Sequence, residues 1–327
     1  MMKFSIIVAA YNVANYLNEC VGSLAKQNFP VSQFEVLIIN DGSTDEATGP
    51  LSDALSDKYD VVRVIHQKNG GLSAARNTGI QNAVGDYLLF VDGDDFWSDN
   101  HFLKKLSDNI EQNKSDIVIF SYNKFYDIDD IIQVGFETVP SFGLFSDHVL
   151  DLVSKEVLTA PAWNKCVKKE LFNQGLGFPV GFLSEDCLYC ANLLKMAGSF
   201  SILNSDNYMY RQNRDGSITN IVKEKNVYDI LKSIDIGLKG IETYNQNLKT
   251  ALEVYFTISY ISILPFVNQY LHNKDIGSLL KKYQYLLKFS KKINNRTFKM
   301  VGIFTKIMGL SISIKLFPRL IGYYKKS

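Results

Sequence analysis

The N-terminal part of the chain alternates two hydrophobic patterns. Phe4 to Ala9 (FSIIVA), Phe34 to Ile39 (FEVLII), Val61 to Ile65 (VVRVI) and Tyr87 to Val91 (YLLFV) are short, continuous apolar runs bounded by turn residues. Such runs suit strands buried on both faces of a largely parallel sheet, since a half-solvated strand would alternate apolar and polar positions. Between them, Ala14 to Gln27, Thr44 to Lys58 and Leu72 to Ala83 read as helices. The β-α-β-α order predicts an α/β sandwich with right-handed crossovers. Ligands of such sheets bind beyond the carboxyl ends of the strands, so the residues following each strand are the first candidates for chemistry.

Further along, the pattern loosens. Ser115 to about Asn220 reads as irregular, punctuated by Pro140, Pro161 and Pro179. Beyond Lys223 it turns helical, with turn signals at Asn273 and again at Asn294 and Asn295. Val254 to Leu271 carries no charge over 18 residues, long enough to cross a membrane. Pro265, Asn268 and Gln269 interrupt it, and a buried helix is expected instead.

Composition changes this picture in one respect. With 327 residues, 46% hydrophobic and 21% charged, the chain can bury one large core or two smaller ones and is not disordered. The net charge of +1, however, hides a split. Twelve of the 35 Lys and Arg, and none of the 34 Asp and Glu, follow Asp275, leaving 23 basic against 34 acidic residues in the first 275, a net of −11. Two regions with such different fields are expected to face different surroundings. Met300 to Tyr324 mixes Ile, Leu, Phe and Met with Lys306, Lys315 and Arg319. That composition suits a segment lying on an anionic membrane surface, the alternative being a solvated basic helix pair. No nucleic-acid partner is expected.

Cys20, Cys166, Cys187 and Cys190 do not form two paired sets, and His66, His101, His148 and His272 are scattered. Buried thiols in a reducing compartment are the better reading than a zinc or redox site. The apolar run at Phe4 to Ala10 is too short for a secretory signal and leads into a Tyr-Asn turn. The chain is therefore expected in the cytoplasm, peripheral on the inner face of the cell membrane.

Three strand ends carry polar clusters: Ala10-Tyr11-Asn12, then Asn40-Asp41-Gly42-Ser43-Thr44-Asp45, then Asp92-Gly93-Asp94-Asp95. Gathering like charges is unfavourable unless a cation or hydrogen-bond donors compensate. Carboxylate oxygens favour Mn²⁺ or Mg²⁺, which readily bridge a diphosphate. Taken singly, the Asp-Gly-Ser-Thr-Asp turn is also a helix cap, through Ser43 or Thr44, and Asp-Gly-Asp-Asp is common in exposed loops. Their occurrence on successive strand ends points to a nucleotide-diphosphate site.

The ordered segments SIIVAAYN (Ser5 to Asn12), VLIINDGSTD (Val36 to Asp45), NGGLSAARNTGIQNAVGDYLLFVDGDD (Asn69 to Asp95) and SEDCLY (Ser184 to Tyr189) resemble the family-two glycosyltransferases of the GT-A fold, of the bacterial capsule and exopolysaccharide type. The resemblance covers roughly residues 1–220 and implies a GT-A nucleotide-sugar-binding α/β/α sandwich at 1–220. Within it, the nucleotide half would span about 1–95 and the acceptor half about 96–220. A mostly helical, C-terminally basic extension would follow at 221–327. It further implies an inverting transfer from a UDP-sugar donor to a polysaccharide or lipid-linked oligosaccharide acceptor. By the same resemblance Ala10, Tyr11 and Asn12 line the nucleobase, Asp41 bonds the uracil or ribose, and Arg76 lies beside the nucleotide. Asp92, with Gly93, is expected near the ribose and metal, Asp94 as the metal ligand, and Asp95 behind them. Asp186 matches the general base, with Glu185 supporting it. Trp163 and Lys165 fall where relatives carry acceptor-side residues, although Trp163 equally suits a core. Arg211 or Arg214 would neutralise the diphosphate, or else form a structural salt bridge.

Other classes fit less well. A dinucleotide-dependent oxidoreductase would need Gly-x-Gly-x-x-Gly after the first strand, where this chain has Ala-Ala-Tyr-Asn. A nucleotidyltransferase would need a Gly-rich basic loop near the N-terminus. The remaining alternatives keep the fold: a teichoic-acid or protein-linked glycan glycosyltransferase, or a non-catalytic nucleotide-sugar-binding protein. The intact Asp92, Asp94 and Asp186 argue against loss of turnover.

Overall fold

The four apolar runs fold as strands and the stretches between them as helices. In a computed structural model that describes residues 3–136, 138–213 and 222–324, β1 (Phe4–Ala10), α1 (Ala14–Ala25), β2 (Phe34–Asn40), α2 (Thr48–Lys58), β3 (Val62–His66), α3 (Leu72–Asn82) and β4 (Tyr87–Asp92) follow one another. β2 is buried along its whole length, as a strand covered on both faces must be. One expected boundary moves: α2 begins at Thr48 and not at Thr44. Thr44 and Asp45 give their N–H groups to Asn12 Oδ1 (2.8 and 3.2 Å), while the Asp45 carboxylate accepts from the N–H of Thr48 at 2.9 Å. The segment is thus held as a loop, and Asp45, not Ser43 or Thr44, satisfies the first N–H groups of the helix.

The stretch expected to be irregular holds much of the remaining sheet. After β5 (Phe96–Trp97) and α4 (Phe102–Asn113) come β6 (Ile117–Asp127), β7 (Asp130–Val134), β8 (Phe142–Leu144), α5 (Phe145–Ser154), β9 (Lys165–Lys168), α6 (Lys169–Asn173), α7 (Glu185–Met196) and β10 (Ser199–Arg211). The strand order is β3-β2-β1-β4-β9-β6-β10-β5, with β7 beside β6 and β8 beside β10. β3, β2, β1 and β4 are parallel. β9 is antiparallel to both of its neighbours, and β10 runs parallel to β6 with a register shift between Leu203 and Tyr208. Those later strands pair across large sequence separations, and β10 shifts register against β6. β6 itself opens on an apolar run, Ile117 to Phe120, inside a stretch that prolines punctuate further along.

Contacts group the chain into two compact units. The first comprises 1–145, 161–181 and 196–215; the second comprises 146–160, 182–195 and 216–327. The first unit contains the sheet and a continuous core that includes Ile6, Val8, Leu17, Cys20, Val36, Phe102, Phe120 and Tyr208. The second is helical, adding α8 (Glu224–Gly237), α9 (Gln246–Val267), α10 (Lys274–Tyr283), α11 (Arg296–Met308) and α12 (Leu310–Tyr324). Among the described residues, one helix, Gln246–Tyr270, is long and apolar enough to cross a membrane, and 72% of its apolar window is buried against protein. Its hydroxyls find partners inside the unit: Tyr255 Oη donates to Cys187 O (2.9 Å), and Tyr260 Oη to Leu280 O (2.7 Å). That is the bonding of a core helix.

Candidate active site

Parallel pairing brings the three polar strand ends side by side. Ala10 lies opposite Asn40 on β2, and Ala9 opposite Asp92 on β4, so the turns after β2, β1 and β4 leave the same edge of the sheet in adjacent positions. Asn12, with a left-handed φ of 53°, ties two of them together. Besides the two N–H groups it accepts, its Nδ2 donates to Thr44 Oγ1 (3.2 Å) and its own N–H to Ser43 Oγ (3.1 Å). Asn tolerates this conformation better than most residues. Tyr11 beside it is 45% exposed.

Asp41 is buried and accepts three hydrogen bonds: from Gln67 Nε2 (2.7 Å), Gly70 N (2.9 Å) and Gly71 N (2.8 Å). It therefore holds the β3–α3 loop against the end of β2, with its charge at the start of α3. Three of the roughly four acceptor positions of a carboxylate are in use. Gly42 completes the close fit: its φ is +65°, and a Cβ there would come within 2.7 Å of Asn69 N, so a side chain is doubly excluded.

The turn after β4 is built differently. Its Asp95 N–H donates to Asp92 O (2.9 Å), and Gly93 lets it approach β1, since a Cβ there would meet Ala9 O and Val13 Cγ2 at 3.1 Å. Arg76, buried under the Phe178 ring, donates from Nη2 to Asp92 Oδ1 at 2.9 Å. Asp94 is half-buried. Asp95 is fully buried behind the turn, where its carboxylate accepts from Tyr208 Oη (2.6 Å) and from Arg211 N (2.8 Å). Burial, and then the charges of Asp92 and Asp94, push the Asp95 carboxyl well above the usual carboxylate range. The buried Cys20 thiol, in contact with Asp92 O at 3.7 Å, is raised by burial and by the same three carboxylates. Negative potential is thus concentrated on this turn.

Residues 5–147 match the sequence profile described as Glycosyl transferase family 2. The chain belongs to that family. Glycosyltransferase GlyA of Streptococcus pneumoniae serotype 4 is 30% identical over 268 residues, 80% of this chain and 38% of GlyA. Glycosyltransferase GlyG of the same organism is 29% identical over 309 residues, 90% of this chain and 92% of GlyG. The chain thus spans well under half of the first relative and nearly all of the second. Residues 1–349 of TarS from S. aureus, crystallised with UDP-GlcNAc, share the fold with a TM-score of 0.74 at 19% identity, covering 100% of this chain and 93% of that one. TarS carries the name poly(ribitol-phosphate) beta-N-acetylglucosaminyltransferase. The α/β architecture with helical C-terminal region is that of the GT-A fold.

Within this family 2 domain the remaining sequence candidates fall in different settings. Arg211 forms the structural salt bridge. Its Nε donates to Asp94 O (2.8 Å), its Nη2 meets Glu19 Oε2 (2.6 Å), and the rings of Tyr16, Phe96 and Phe125 lie 5.1–5.2 Å from the guanidinium. Arg214 lies outside the described residues. Trp163 is buried and stacked on Tyr208 (4.7 Å) and Tyr210 (4.9 Å), the setting of a core aromatic. Lys165 is wholly buried, its ammonium donating to Pro161 O (2.6 Å) and Asn164 Oδ1 (2.7 Å). Glu185 and Asp186 open α7 in the second unit, Glu185 buried and Asp186 half-buried. There both acids face the favourable end of the helix dipole. Gln67, Glu19 and Tyr208 escaped the sequence reading, because each acts through a partner distant in the chain and none stands in a local motif.

Proposed function

We propose that the protein moves a sugar from a UDP-sugar to a hydroxyl of a polysaccharide or lipid-linked oligosaccharide, inverting the anomeric carbon, in the assembly of a cell-surface glycan. The observation that carries this reading is the alignment of residues 10–12, 40–45 and 92–95 on one edge of the parallel sheet. Exposed Tyr11 offers a ring for the base, and Asp41 keeps one acceptor position for the uracil or ribose. Arg76 fixes Asp92. The likeness to a fold solved with UDP-GlcNAc supports UDP as the nucleotide.

Asp94 and Asp92 would hold Mn²⁺ or Mg²⁺. The donors are carboxylate oxygens, and Asp92, Asp94 and Asp95 stand together on one turn, so a divalent cation fits. The remaining ligands of such a cation would come from the diphosphate and water. When bound, such a cation supplies Lewis-acid stabilisation of the departing UDP. Arg211, holding the Asp94 carbonyl, keeps the turn in place. Within the SEDCLY motif we assign Asp186 the removal of the acceptor proton and Glu185 its support. A poly(ribitol phosphate) acceptor is the second reading, favoured by the likeness to TarS.

A thermal-shift panel of UDP-Glc, UDP-Gal, UDP-GlcNAc and UDP-GalNAc tests this directly, since a ligand bound to the native state raises the melting temperature. One UDP-sugar should stabilise the protein with Mn²⁺, and EDTA should remove most of the shift. Equal shifts with and without EDTA would defeat the metal assignment; no shift with any of them would defeat the donor assignment.

A further inference from the structure

α11 leaves part of its apolar surface in water. A surface helix ordinarily turns its apolar stripe inward; α11 fully buries only Gly302 and Thr305, with Phe298, Val301 and Phe304 half-buried. The fit is close: a Cβ on Gly302 would lie 1.8 Å from Ser290 Oγ. Outward, α11 presents Met300, Ile303 and Ile307, which are 56, 60 and 75% exposed. Their i, i+3, i+7 spacing makes one continuous stripe. Arg296 stands at its N-terminal end, while Lys299 and Lys306 line one flank, Arg296 and Lys306 being exposed. At Gly309 (φ 75°) the chain turns into α12, where Ile312 and Lys315 are exposed in their turn. A row of large aliphatic side chains left in water marks a contact surface.

The charge pattern selects the occupant. No Asp or Glu follows Asp275, and the exposed Lys281, Lys288, Lys291 and Lys292 add to the positive charge of this region, while Lys282 is paired with Asp235 at 2.6 Å. Protein interfaces place apolar groups at the centre and deplete it of charge. Here a basic flank and an apolar stripe share one helical face. An anionic bilayer answers both at once, since aliphatic side chains enter the acyl boundary while Lys and Arg stems reach up to the headgroups. We infer that the outward face of α11, continued onto the start of α12, docks the protein on an anionic lipid surface with the helix lying in the interface. This goes beyond glycosyl transfer and does not depend on it.

Flotation of the full-length protein with phosphatidylcholine vesicles, with and without phosphatidylglycerol, tests the inference. The protein should float with the anionic vesicles at low salt and less so as salt rises. Ile303→Ser combined with Ile307→Ser should cut the bound fraction roughly tenfold. Lys299→Gln combined with Lys306→Gln should cut it less and flatten the salt dependence. The changed isoleucines are exposed, so melting temperature and UDP binding in solution should stay as in the unmodified protein, which separates this result from the nucleotide site. Equal binding to pure phosphatidylcholine, undiminished flotation of the isoleucine variant, or no flotation at low salt would overturn it. So would a dimer in sedimentation velocity that the isoleucine variant abolishes without any vesicle binding; the stripe would then pair with a second copy of the chain.

Discussion

Two strand ends of the same parallel sheet, separated only by β1, carry carboxylates that meet opposite fates. Asp41, after β2, is buried among three donors, two of them backbone N–H groups at the start of α3. Asp95, after β4, is buried with two donors and two neighbouring carboxylates, and its carboxyl is pushed up by burial and by Asp92 and Asp94. The first is largely closed, with one acceptor position left for the nucleotide, and works as a latch on the β3–α3 loop. The second strand end stays open at half-buried Asp92 and Asp94, in front of buried Asp95, and is where a cation and a diphosphate would be bound. An acidic motif therefore does not declare its role by its residues; the donors around it do.

The largest effect should come from the open end. Asp94→Asn should lower transfer by ~10³-fold or more and weaken UDP binding in Mn²⁺, with the melting temperature nearly unchanged; normal turnover would break the comparison. Next in size, Asp186→Asn touches neither strand end. It should leave UDP-sugar binding intact and slow transfer by ~10²-fold or more. An active Asp186→Asn beside a dead Glu185→Gln would exchange their roles.

At the closed end, Asp41→Ala leaves the N–H groups of Gly70 and Gly71 without their acceptor. It should destabilise the fold by about 3 kcal/mol, read by denaturant unfolding without any nucleotide. An unchanged midpoint together with lost UDP affinity would make Asp41 a ligand group and not a latch.

The smallest effect separates shape from charge behind the β4 turn. Asp95→Ala should lose ~1–3 kcal/mol, because Tyr208 Oη and Arg211 N–H lose their partner. Asp95→Asn retains a partner for each and should lose less. The sign with pH follows from the raised carboxyl: the native state holds this proton more tightly than the unfolded chain does. Ionised Asp95 thus weakens the fold above its native pKa, and the deficit fades as pH falls through that value. Without metal, the wild type should gain on Asp95→Asn as the pH is lowered. A difference between the two that stays constant with pH would remove the uncompensated charge from this account.

Much of this was legible from the residues alone. Apolar runs marked β1 to β4 within a residue or two; β1, β2 and β4 are covered on both faces and have no polar face to show, while β3 at the end of the sheet exposes Arg63 and His66. The acids that follow β2 and β4 marked the edge on which the polar turns meet. The helical C-terminal region and the buried character of Val254 to Leu271 were likewise readable, from periodicity and from the polar interruptions after Pro265.

Tertiary structure decided the rest. β9 and β10 are held by partners far away in sequence, and that pairing energy leaves no local periodicity to read. That Arg211 meets Glu19, 192 positions away, left no trace in the local sequence. The start of α2 moved to Thr48 because Asn12, from another strand end, took the N–H groups of Thr44 and Asp45. The same holds for the C-terminal helices. Composition announced an apolar and basic segment, but only packing showed that α11 buries Gly302 and turns its isoleucines outward. Local sequence fixes which residues prefer water and which conformations they adopt. Which donor meets which acid, and which face of a helix is covered, is settled by the rest of the chain closing around them.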